Sequence, residues 1–130
     1  MVLDVEILED KINFLTLMTD DIHRELNLNF DFTKFVLDNN LTCTQVVLII
    51  KGLIILNYKK SNMINDHKEE FENDERFHEL LESDVKFESF EKFISEVCPN
   101  VNVHELLENL CNQKIGRNIC KILLEDKENN

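Results

Sequence analysis

Turn-forming residues are scarce in this chain, with two glycines and one proline in 130 residues. All-β proteins need many tight turns, and tight turns draw on these residues. Their scarcity predicts long helices and few hairpins. Two glycines also exclude the phosphate-cradling loops of nucleotide-binding proteins, and neither G-x-G-x-x-G nor a Walker pattern occurs. The four cysteines, Cys43, Cys98, Cys111 and Cys120, form no C-x-x-C pair. That spacing speaks against a structural zinc site and for free thiols in a reducing compartment. Basic residues are few as well: 14 against 26 acids, a net charge of −12. Nucleic-acid binders neutralise phosphates with clustered Lys and Arg. Here the positive charges are scattered and Lys59-Lys60 is the sole adjacent pair. Direct DNA or RNA binding is not expected.

What the chain does have is an ordinary globular balance, 43% hydrophobic and 31% charged. Its length suggests one domain, able to bury a core without disulfide or metal. The start, Met1-Val2-Leu3-Asp4-Val5-Glu6, carries acids early and no basic region, so it does not read as a signal peptide. The expected location is cytoplasmic. The expected organisation is a single helical domain over 1–126 with a frayed tail at 127–130.

One helix-start signal occurs twice. Leu41-Thr42-Cys43-Thr44-Gln45-Val46 sets a capping threonine three residues before a glutamine, and Val101-Asn102-Val103-His104-Glu105-Leu106 sets a capping asparagine three before a glutamate. Each has an apolar residue just before the cap and another four after it. This is a capping box with a hydrophobic staple. Each follows a phenylalanine pair at helical spacing, Phe32/Phe35 and Phe90/Phe93. The chain therefore reads as two helix–turn–helix units, directing Val46/Val47/Ile50 and Leu106/Leu107/Leu110 to a common core. The recurrence reads as a repeated packing solution, with true duplication as the alternative.

Around these units, Val5, Leu8, Ile12 and Leu15 form an apolar seam on a first helix over about 4–19, widened by Ile7, Phe14 and Met18. It packs on its own core or forms a dimer seam. Asn27-Leu28-Asn29 marks a break. Asn29 or Asp31 caps a short helix to about Asp38, and Asn39-Asn40 ends it. The next helix runs from Cys43 to about Lys60. Its Val46–Leu56 interior is apolar nearly all round and interrupted by Lys51-Gly52, which predicts a buried central helix. A hairpin is the rival there; a membrane span would need about 20 apolar residues. Asp66 opens a fourth predicted helix to about Leu81, within a stretch (66–84) holding nine acids. Further helices are predicted over about 88–97, stopped by Pro99, from the Asn102 cap to about Asn112, and over about 115–126. The fold class is all-α, an irregular or orthogonal bundle of six to seven helices around a buried central helix.

The order of these parts resembles the YhaI-like family of small all-helical proteins of Gram-positive bacteria. The resemblance rests on Leu8, Ile12 and Leu15; on Phe32, Phe35 and Leu41; on Val85, Phe87, Phe90 and Phe93; and on Val103-His104-Glu105, its most distinctive piece. It covers most of residues 5–125 outside 58–82. It implies an all-α oligomeric bundle and no activity. Thr42 and Cys43 replace a more usual acidic helix start, and 61–74 reads as an insertion.

Chemical candidates are few. Glu75-x-x-His78 and Asp20-x-x-His23 each place a carboxylate and an imidazole on one helix face, as di-iron bundles do. Acidic polar surroundings favour a solvated face instead. His104, two residues into a helix, would oppose the dipole if protonated, and is expected to pack or bond to a neighbouring helix. A nucleophile pairing Cys98 or Cys43 with His104 would need a pocket and an orienting group that nothing in the sequence signals. The expectation is a non-catalytic protein–protein interaction module, regulatory and homo-oligomeric, with no cofactor or metal. Val5, Leu8, Ile12 and Leu15 are its self-association residues, and an unidentified protein is its partner. The alternative is an acidic antagonist, a DNA-mimic-like inhibitor of a basic DNA-binding protein such as a mobile element would encode. Glu69, Glu70, Glu72 and Glu75 would be its interaction face.

Overall fold

A computed structural model describes residues 11–15, 17–18 and 29–129, and these are all-helical with no strand among them. Val5 and Leu8, Asp20 and His23, and the Asn27-Leu28 break lie outside the described residues. Residues 11–15 and 17–18 are helical. The helices that follow are α1 (Asp31–Asp38), α2 (Cys43–Lys60), α3 (Ile64–His67), α4 (His78–Glu82), α5 (Phe87–Val97), α6 (Val103–Asn112) and α7 (Arg117–Glu128). Two 3₁₀ turns, Lys68–Glu70 and Glu75–Phe77, lie between α3 and α4.

Local chemistry sets these boundaries. The Asp31 N–H donates to Asn29 Oδ1 at 2.9 Å just ahead of α1, whose N-cap position is Phe30 rather than the expected Asn29 or Asp31. Thr42 and Gln45 form the full reciprocal box that begins α2. At α6 the box is half made: Glu105 N–H donates to Asn102 Oδ1. Three helices end the same way. Asn40, Asn62 and Lys114 take the left-handed conformation at φ 53°, 59° and 63°. The following N–H groups of Leu41, Met63 and Ile115 return to the carbonyls of Val36, Tyr58 and Leu110. This is the Schellman closure, made here without glycine. α7 runs through Glu128, two residues into the expected tail, and Lys127 Nζ lies 5.0 Å from the Phe87 ring centroid.

The two helix–turn–helix units interleave. α1 packs on α6, and α2 packs on α5 and also on α3, α4 and α7. The Gln45 side chain joins the units, since its Nε2 donates to Val97 O at the end of α5. α2 comes so close to α5 at Gly52 that a Cβ there would lie 2.5 Å from Phe93 Cε1. The hairpin rival is thereby overturned. The common core is reached in part: Val46 and Ile50 pack against it and Val47 does not. Leu106, Leu107 and Leu110 are fully buried, whereas Val46 and Ile50 are half-buried and Val47 is exposed. α2 buries Leu48, Ile49, Gly52, Leu53, Ile55 and Leu56 most fully.

The predicted fourth helix, Asp66 to about Leu81, is also corrected. Phe71 and Phe77 are both buried, with ring centroids 5.9 Å apart, edge to face. Six residues in one helix would set them about 120° apart around its axis, so a continuous helix would point the two rings to different sides. The chain breaks instead. Asp74 accepts from the Arg76 N–H and starts the second turn. Phe77 then meets Phe93 at 5.7 Å.

A candidate self-association surface and the chemistry around it

Apolar surface is unevenly covered. Ile12, Phe14, Leu15, Leu17 and Met18 are 41%, 61%, 57%, 63% and 43% exposed. At 100° per residue these five positions spread around most of the helix, wider than the predicted seam. A helix apolar on so many sides is normally enclosed.

A second uncovered surface lies on α2. Ile50, Leu53, Ile54 and Tyr58 face Ile115, Gly116, Arg117 and Ile119 across an open groove of about 420 Å³. Gly116 builds the far wall: its left-handed φ of 58° turns the chain from the end of α6 into α7. Ile54 and Val47, 38% and 43% exposed, continue the apolar face along α2.

The predicted acidic face is placed differently. Glu69, Glu70, Glu72 and Glu75 are all exposed, but the broken 64–82 segment spreads them over two 3₁₀ turns and a bend. They do not form a row along one helix. Glu70 Oε2 lies 3.0 Å from His67 Nδ1, whose ring stacks on Tyr58 at 4.0 Å. The segment is latched to α2 by Lys59. Its Nζ donates to the carbonyls of Leu80, Leu81 and Ser83, the orphan acceptors at the end of α4. Burial pushes the Lys59 ammonium below the usual lysine range, and Asp84 partly offsets this.

Two of the four cysteines are buried thiols. Burial pushes the Cys98 thiol up, and the Cys120 thiol up to about 12, with Cys111 adding to the second shift. Both are held as neutral thiols, whereas a reactive cysteine needs its thiolate. His104 Nε2 contacts Glu108 Oε1 at 2.6 Å, on its own helix rather than the expected neighbour, and its buried Nδ1 has no partner. His78 Nε2 donates to Glu72 O at 2.6 Å. Among the described residues no three His, Cys, Asp or Glu side chains gather as a metal site. No helix among them is long and apolar enough to cross a membrane.

Sequence reasoning named Ile12 and Leu15 but missed the groove, whose walls come from helices far apart in sequence. Its available signal was the apolar surplus on α2, more than one buried face uses. No family model, curated protein or solved structure matches this chain.

Proposed function

We propose that this chain is a non-catalytic protein–protein interaction module of the cytoplasm, regulatory in role and acting as a homo-oligomer. The observation that carries this reading is the exposed apolar run Ile12, Phe14, Leu15, Leu17 and Met18. Contiguous exposed apolar surface of this kind marks interaction sites. Val5, Leu8, Ile12 and Leu15 are its self-association residues, and direct nucleic-acid or membrane binding is not part of the role. The resemblance to the YhaI-like family, if it reflects kinship, implies the same oligomeric state. Light scattering is the test. An oligomer at tens of micromolar is expected, and a monomer rejects the idea. Leu8→Glu combined with Ile12→Glu should dissociate the oligomer and leave its helical circular dichroism intact.

The exposure of Glu69, Glu70, Glu72 and Glu75, in a chain of charge −12, favours a second reading. In it the chain is an acidic antagonist of a basic DNA-binding protein, of the kind a mobile element encodes. It predicts salt-sensitive binding to a cationic partner, lost when those four are changed to Gln. Unchanged binding at low salt rejects it.

A further inference from the structure

Between α2 and α5 the chain crosses the molecule as a strap, residues 64–84, with little regular structure of its own. It holds α3, two 3₁₀ turns and α4, whose five residues make the longest helix in it. Helices this short do not stand alone in water. Phe71, Phe77 and Leu80 are the buried residues of the strap, three in 21, whereas α6 buries four of its ten. Apolar packing thus holds the strap less firmly than α6. The N–H groups of Phe71, Glu72, Asp74, Phe77 and Ser83 donate to carbonyls of the strap itself. The body holds it through side chains, and several of these are charged. Residues 66–84 carry nine acids against Lys68 and Arg76. Three lysines face them from α2 and α5. Lys51 acts on Asp74, Lys59 bonds the Leu80, Leu81 and Ser83 carbonyls beside Asp84, and Lys92 pairs with Glu79.

We infer that residues 64–84 form an electrostatically clipped strap that opens as one unit while the rest of the fold stays closed, with Lys59 as its main clip. Opening uncovers the rings of Phe71 and Phe77 and the Phe93 ring beneath them. The strap moves as a unit because its pieces brace one another: Phe71 meets Phe77 edge to face, and Arg76 bonds Asp74 at the turn between them. Its ends are natural hinges, the left-handed Asn62 before α3 and the extended Ser83 after α4. Lys59 outranks Lys92 as a clip. The Lys92 and Glu79 side chains are 65% and 52% exposed, so water and salt screen that pair. Lys59 is half-buried and satisfies three carbonyls at once. The most extensive packing elsewhere, α6 on α7 and α1 on α6, does not involve the strap and stays in place. High salt, or loss of the Lys59 charge, shifts the strap toward its open form. None of this depends on self-association.

Hydrogen exchange of the full chain, read by mass spectrometry, is the test. In the wild type, peptides from 64–84 should exchange together and at least about tenfold faster than those of α6 and α7. Strap peptides as protected as α6 and α7 overturn the inference, because the segment would then open only with the whole fold. Lys59→Met keeps the apolar stem and removes the clip. It should speed strap exchange about tenfold and leave α6 and α7 unchanged. Equal acceleration everywhere, or none, overturns the inference. Should Lys59→Met not fold, salt takes its place on the wild-type chain. Raising sodium chloride from about 20 mM to about 0.5 M should speed strap exchange about threefold relative to α6 and α7; no relative change overturns the inference equally.

Discussion

Gly52 shows how one hydrogen in place of a methyl group sets the distance between two helices. Alanine is the better helix former by about 1 kcal/mol, so Gly→Ala on an open helix face would stabilise. Here the added Cβ would press into the Phe93 ring, itself buried among Phe77 and Phe90. Overpacking of this kind costs about 1–3 kcal/mol, and the sign reverses. Gly52→Ala should lower stability by about 1–2 kcal/mol in urea unfolding. Adding Phe93→Leu should show a favourable coupling between the two changes in a double-mutant cycle. A stabilised Gly52→Ala variant would mean the helices stand further apart than described.

At the scale of the element, caps and breaks carry the information. Thr42→Ala and Asn102→Ala should each cost about 1 kcal/mol, read by thermal or denaturant unfolding. Effects below about 0.2 kcal/mol would deny the caps. Their partners should differ: Gln45→Ala should cost more than Glu105→Ala, because the Gln45 side chain accepts from Thr42 N–H and donates to Val97 O. The 64–82 break has its own pH signature. The Arg76 side chain bonded to Asp74 is the main cause holding that carboxyl down at about 2, below the usual carboxylate range. A depressed pKa stabilises where the unfolded carboxyl is ionised, above about pH 4, and this is lost as pH falls toward 2. Wild type and Asp74→Asn should therefore differ in melting temperature at pH 6 and converge near pH 2; an equal gap at both would show that the pair does not hold the turn. These elements also show what sequence could convey. The start of α2 at Thr42, the stop of α5 before Pro99 and the start of α6 at Asn102 are written in residues three or four apart, so they were legible. The break between Phe71 and Phe77 was not, because it answers to Phe93, sixteen or more residues away. Nor was the Lys59 latch: a lysine reads as solvated until the chain brings three carbonyls to it.

For the whole molecule, the all-α class followed from few turn residues and many helical spacings, and a helix reaching four neighbours followed from the apolar interior of α2. Which face of α2 is covered was not legible, since an all-round apolar helix gives no direction. The position of Ile12 and Leu15 relative to that face depends likewise on distant parts of the chain. The interleaving of the two units bears on how the chain could be divided. α1 packs on α6 and α2 on α4, α5 and α7, so each half of the polypeptide holds surfaces that only the other half fills. A cut between Asn73 and Asp74 falls in the exposed connector between the 3₁₀ turns. Residues 1–73 and 74–130, made separately, should each be poorly structured and should regain helical circular dichroism when mixed in equal amounts. The chain is thereby suited to use as a split reporter, with its two pieces serving as mutual templates; halves that fold alone would show two independent domains instead.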